Sequence, residues 1–265
     1  MKRIIIATLL VLSSITGYAQ EDSTFLSAHY IAHFNTYAEA THKGTEEVVL
    51  DIGENSSCFY GRWYRRRREI IDSIAAAGGN FDDMLAKTSE YPSPSLSYIV
   101  YNNYPSVGKR TVTQQLIKDF YYEEDIDDIQ WTLLDRDTTI LDYPCQTATC
   151  EYRNHRWTVC YAPEIPISLG PWKLRGLPGL ILYAADDTGI FSFECIELRN
   201  EPKPVAVPNL SKSIKCTRED IKEMKRVSKK NPDDLVRRLG FTPGKAWDAN
   251  GKPLVYKERT AIFID

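Results

Sequence analysis

The stretch LRGLPGLIL, residues 174–182, decides how the rest of the chain is read. Two glycines bracket a Leu-Pro pair, and aliphatic residues follow. A phosphate-cradling loop aims successive backbone N–H groups at an anion, usually at a helix start with Lys or Ser/Thr next. Pro178 has no N–H to offer, and Leu180, Ile181, Leu182 and Tyr183 favour a strand. Leu177-Pro178-Gly179-Leu180 fits a type II turn, with Gly179 supplying a positive φ at the third position. The stretch is therefore a corner that feeds a buried strand, with Leu177 placed to cap a cavity mouth.

Outward from this corner, the sequence reads as short strands with turn signals every ten or so residues. After it come residues 180–186, a turn at Asp187-Thr188-Gly189, and 190–198. Before it lie 97–104, a turn at Pro105 to Gly108, then 110–124, 129–135 and 138–144. A hairpin closes around Arg153-Asn154-His155. Further upstream, Ser27 to Tyr37 and Glu46 to Gly53 also read as strands. From Phe59 to Ala77 the apolar residues Tyr60, Trp63, Tyr64, Ile70, Ile71, Ile74 and Ala77 recur at helical spacing, and Gly78-Gly79 stops the run. Residues 80–97 read as loop with one helical turn at most. Pro202, Pro204 and Pro208 then break the sheet. Residues 217–230 form a helix whose start, Thr217 with Asp220, resembles a capping box. A second short helix follows over 231–241, and the tail from Gly244 reads as loop, with a hairpin as the alternative. The expected fold is α+β: a predominantly antiparallel, curved β-sheet packed on one long N-terminal helix, with a helical C-terminal appendage. The expected organisation is a sheet domain over 20–200 and a helical and loop extension over 201–265.

The N-terminus carries a basic head, Lys2-Arg3, an apolar run from Ile4 to Leu12, and small residues up to Gly17-Tyr18-Ala19. This is a signal-peptide pattern, residues 1–19, with cleavage expected after Ala19 and a periplasmic or secreted product. The apolar run is too short to span the ~30 Å of a bilayer core, and no later stretch is apolar enough to cross. A net charge of −3 removes any global pull toward nucleic acid.

All 6 cysteines follow the signal segment. An even count in an oxidising compartment favours disulfides, and neither CxxC nor Cys/His pairs at ligand spacing ask for a metal or cofactor. A three-residue hairpin loop, Asn154 to Arg156, would set Cys150 directly opposite Cys160, compatible with a bridge. A two-residue loop would put them on opposite faces. His29 and His33 would lie about 13 Å apart on one strand face, too far for one metal. With His42 and His155 they are read as surface histidines. Arg65, Arg66, Arg67 and Arg68 form the strongest charge run. They are read as a solvated helix face, or as a contact for an anionic envelope partner. The acidic run 123–130 lacks the glycine and ligand order of a calcium loop. No GxSxG elbow is present, and no carboxylate pair stands out as acid and base among 36 acidic residues.

From Trp131 to Leu182 the chain resembles the GLPGLI family, exported proteins common in Bacteroidota. The likeness rests on Trp131, Asp137-Thr138, Ile140, Tyr143, Cys145-Gln146, Ala148, Arg156-Trp157, Tyr161, Glu164-Ile165-Pro166, Gly170-Pro171-Trp172 and Gly176 to Leu182. In two places the chain departs from the pattern. Its hairpin turn lacks the usual glycine, and Cys160 stands where a tryptophan usually precedes the tyrosine. A Cys150–Cys160 bridge would then compensate for lost aromatic packing. The resemblance implies an envelope protein with a mainly antiparallel sheet and no established activity. Gly170, Pro171, Trp172, Gly176, Leu177, Pro178 and Gly179 would form a structural turn at a cavity mouth. The expected function is non-enzymatic binding of an envelope partner protein or apolar ligand. The rivals are an envelope hydrolase whose site only the fold assembles, and a structural assembly factor for outer-membrane machinery.

Overall fold

The computed structural model describes residues 22–244, 252 and 258–265. The signal segment expected at 1–19 lies outside the described residues, as does most of the tail expected as loop.

Two antiparallel meanders make the sheet. The first runs through β1 (Ser23–Phe34), β2 (Gly44–Gly53), β3 (Ser57–Gly61), α1 (Arg62–Ala76), α2 (Phe81–Thr88), β4 (Tyr98–Asn102), β5 (Lys109–Gln115) and β6 (Asp119–Asp125). The second is β7 (Thr132–Ile140), β8 (Tyr143–Tyr152), β9 (His155–Ala162), β10 (Leu180–Asp186) and β11 (Ser192–Arg199). They join where β11 returns to pair with β1. Two short strands complete it: β12 (Lys203–Pro204) beside β1, and β13 (Ile214–Lys215) beside β6. The last pair is parallel, so the 13-stranded sheet is mixed, though nearly all of it is antiparallel. The helices α3 (Arg218–Lys230) and α4 (Pro232–Arg238) follow.

Strand β2 shows how the sheet is buried. Val48, Leu50 and Ile52 enter the main core, while Val49 points the other way into a small cluster with Cys58, Tyr60, Tyr101 and Val205. Alternating side chains on a pleated strand must face opposite sides, so both faces are covered here. The sheet also curls until its two meanders meet. Phe59 on β3 packs edge-on against Phe193 on β11, with centroids 6.0 Å apart. Arg110 on β5 reaches the Tyr152 hydroxyl at the end of β8. The core is thus sheet folded against sheet.

This overturns the expectation of a sheet packed on one long N-terminal helix. The periodic run does form a helix, but α1 has only 15 residues and buries only Tyr64 and Ile70. None of its residues belongs to the main core. It rests on the opposite face, where Arg65 lies over the Tyr60 ring at 4.4 Å and meets Asp51 at 3.1 Å. Helical spacing reports that one face is covered, not which layer covers it. Nor is the C-terminal part an appendage. Ile221 is in the main core, with Met224, Ile262 and Ile264 packed against it.

Two local readings also change. The single strand expected over 110–124 is a hairpin of β5 and β6, turned at residues 116–118. In the region read as loop, α2 forms behind a capping box between Asn80 and Asp83. The helix expected from Thr217 starts as the sequence indicates, with Thr217 and Asp220 capping each other. Among the described residues no helix is long and apolar enough to cross a membrane.

A candidate ligand chamber under helix α3

The concave side of the curled sheet is not completely filled. Helix α3 closes over it and the segment Ala261 to Asp265 lines it, leaving a chamber of about 260 Å³. That is slightly below the ~300–1,000 Å³ usual for small-molecule sites, and equals roughly nine waters of bulk volume. Its wall is mainly apolar, built from Phe34 on β1, Val100 on β4, Val112 on β5 and Phe193 on β11.

A buried charge network forms the floor. The loop that begins with Gly170-Pro171-Trp172 runs inside the protein, and Trp172 is 1 % exposed. Trp172 takes a positive φ of 57° and packs between Trp157 and Tyr152, at centroid distances of 5.8 and 5.7 Å. That unusual backbone turn hands Lys173 into the interior, with its side chain wholly buried. The ammonium meets Asp265 at 2.6 Å and Glu124 at 2.9 Å, and donates to the Tyr122 hydroxyl at 2.9 Å. Burial works to raise the Asp265 carboxyl. The Lys173 charge, with hydrogen bonds from Lys173 and Tyr122, nevertheless holds it below the usual carboxylate range. Glu124 also pairs with Arg110 and Arg153. A lone ion here would be very costly, so each charge is held by partners.

The roof carries charge of one sign. Lys222, Lys225 and Lys229 fall on the face of α3 that lines the chamber, with Ile221 beside them. Their ammonium groups lie near aromatic rings: Lys222 by Phe263 at 5.8 Å, Lys225 by Tyr98 at 5.6 Å, and Lys229 by Tyr37 at 5.5 Å. Lys229 also donates to the Thr36 hydroxyl. Burial of its ammonium pulls Lys225 down to about 8, with Asp265 opposing and Lys173 and Lys229 reinforcing the shift.

The residues singled out by sequence fall in several places. Gly170, Pro171, Trp172 and Leu177 are buried, whereas Gly176 and Pro178 are exposed. Leu177, only 2 % exposed, is core rather than a cavity mouth. The type II turn is corrected too: the positive φ, 98°, belongs to Gly176, not Gly179. Gly179 serves close approach, because a Cβ there would run into the Ala162 carbonyl. The Gly176 amide donates to the Ser168 carbonyl, so it is not aimed at a ligand. Trp131 is not part of the Trp157–Trp172 pair, and its indole donates to the Arg175 carbonyl.

Cys150 and Cys160 are not paired. The hairpin closes with two residues, Arg153 and Asn154, both at positive φ (54° and 63°). This is the turn that suits the twist of a hairpin. It sets Cys150 opposite Trp157 and Cys160 opposite Thr147, so the two thiols face opposite sides of the sheet. All six cysteines are free thiols in this structure. The arginine run has internal partners throughout. Arg65 holds Asp51 and Glu69, and Arg66 meets Glu69. Arg67 donates to the Thr88 and Tyr91 carbonyls, and Arg68 meets Asp119. Among the histidines, His29 is buried and bound to Glu47, not at the surface. His155 uses both ring nitrogens, toward Asp186 and the Phe263 carbonyl. Among the described residues no cluster of three or more His, Cys, Asp or Glu could hold a metal.

No protein-family model and no curated protein matches the chain. Among solved structures, it is similar to two of PNGF-II, in the P21 and C2 space groups. Each match has 10% sequence identity and a TM-score of 0.51, and covers 78% of this chain. The chain accounts for only 34% and 33% of the length of those chains. The likeness is therefore one of fold.

Proposed function

We propose that this is an exported envelope protein that binds a small, apolar-bodied ligand in the chamber under α3 without transforming it. The envelope placement rests on the Lys2-Arg3 head, the apolar run to Leu12 and the Ala19 boundary, together with the resemblance to GLPGLI proteins. The binding reading rests on one observation. The concave face holds about 260 Å³ of space, and Phe34, Val100, Val112 and Phe193 make the apolar part of its wall. Protein cores leave few voids larger than a water. A chamber with an apolar wall and a few polar groups has the form of a ligand site, and its volume limits it to a small ligand.

The test is titration of the full chain with a small neutral fluorescent probe, 1-naphthylamine. Binding in the chamber raises and blue-shifts its emission. Ser228→Phe, which adds a ring from the α3 side, removes the response if the chamber is the site. A response that survives this change, in a variant with unchanged circular dichroism, overturns the assignment.

A further inference from the structure

The polar part of the chamber indicates what the ligand carries. Lys222, Lys225 and Lys229 occupy successive turns on one face of α3. Among the described residues none of the three has a carboxylate within 4.0 Å. Most of the other charges around the chamber are matched: Lys173 has Asp265 and Glu124, and Arg218 has Glu219. The lysines instead face aromatic rings about 5.5–5.8 Å away. Such contacts offset part of the desolvation of an ammonium, but supply no opposite charge. Three like charges around an apolar space repel one another and favour any anion that can enter. The chamber also shows that it accepts a carboxylate. The Asp265 side chain already sits at its floor, held by Lys173 and the Tyr122 hydroxyl, with Ile262 and Ile264 of the same segment against the core.

Resting on the binding reading above, we infer that the ligand is a small amphiphile with one anionic head. Its carboxylate is held by Lys222, Lys225 and Lys229, and its short apolar body lies among Phe34, Tyr98 and Phe193. The volume sets the size at roughly a dozen non-hydrogen atoms. A medium-chain carboxylate fits that limit, and a two-chain lipid does not.

Calorimetric titration of the full chain with decanoate, 1-decanol and decylamine tests this, since the three share a body and differ in the head. A charge-assisted hydrogen bond contributes about 1.5–3 kcal/mol, or roughly tenfold or more in affinity. Decanoate is expected to bind at least that much more tightly than decanol, and decylamine most weakly. Lys225→Met should lower decanoate affinity toward that of decanol while leaving decanol unchanged, and Lys225→Arg should keep most of the preference. Equal affinity for decanoate and decanol would overturn the head-group inference while leaving the apolar-body reading intact. Binding of none of the three would overturn both. Decanoate binding undiminished by both Lys225→Met and the Lys222→Met/Lys229→Met pair would place the head elsewhere and reject the assignment.

Discussion

Lys173 reaches Asp265 across 92 positions of sequence, with Nζ 2.6 Å from the carboxylate and its own side chain fully buried. This contact ties the second meander's long loop to the segment that lines the chamber. Glu124 on β6 joins it from the first meander. The pair therefore holds together the three parts of the fold that bound the chamber.

Asp265→Asn should destabilise the protein by about 3 kcal/mol. Removing one partner of a buried pair costs roughly 3–5 kcal/mol, and Glu124 remains at 2.9 Å from Lys173 to moderate the loss. Urea unfolding measures it. The pH dependence has a definite sign. The folded Asp265 carboxyl lies below its usual range, so its contribution is present above the unfolded value of about 3.9 and lost as pH falls through the folded value. Wild type should lose more stability than the variant when acidified from pH 5 to pH 2.

The two motif glycines should respond differently to alanine. At Gly179 a Cβ would meet the Ala162 carbonyl, backbone that cannot swing aside. Gly179→Ala should cost about 1–3 kcal/mol or more through overpacking and shift of the β9–β10 pairing. At Gly176 the space is open, with Trp131 Nε1 the nearest atom at 3.5 Å, but φ is 98°. Gly176→Ala should cost about 1–2 kcal/mol, from conformation alone. Thermal melts of both variants should show the larger loss at Gly179.

Cys150 and Cys160 should not be linked in the isolated protein. Peptide mapping under non-reducing conditions checks this directly. A Cys150–Cys160 peptide would refute the two-residue turn at Arg153-Asn154 and shift every pair between β8 and β9.

Decanoate affinity should fall as pH rises from 7 to 9, because Lys225 loses its proton at about 8. The groups that set this value act from three sides: Lys229 on α3, Lys173 on the floor and Asp265 on the lining segment. A carboxylate is ionised throughout the range, and decanol should show no such change. Calorimetry at three pH values separates the two.

Much of the strand order was legible, because alternation and turn residues are local signals. Thr217 with Asp220 likewise marked the start of α3. The hairpin register was not legible: Arg-Asn lacks the glycine that usually announces a two-residue turn, yet both residues adopt positive φ. Proline and glycine in GLPG suggested a type II turn, while tertiary approach to Ala162 fixed the actual conformation. The arginine run was visible, but its partners Asp51, Thr88, Tyr91 and Asp119 come from other elements. The floor was least visible of all, since Lys173 and Asp265 are joined only by the fold. The lysines of α3 left a trace that helical spacing could have revealed, three cations on one face beside an isoleucine.

The most direct measurement is a crystal structure of the full chain grown with saturating decanoate. The account predicts one molecule under α3, its carboxylate about 3 Å from Lys225 Nζ and its chain against Phe193 and Val100. A chamber left empty or filled by side chains, with decanoate bound elsewhere or nowhere, would contradict it.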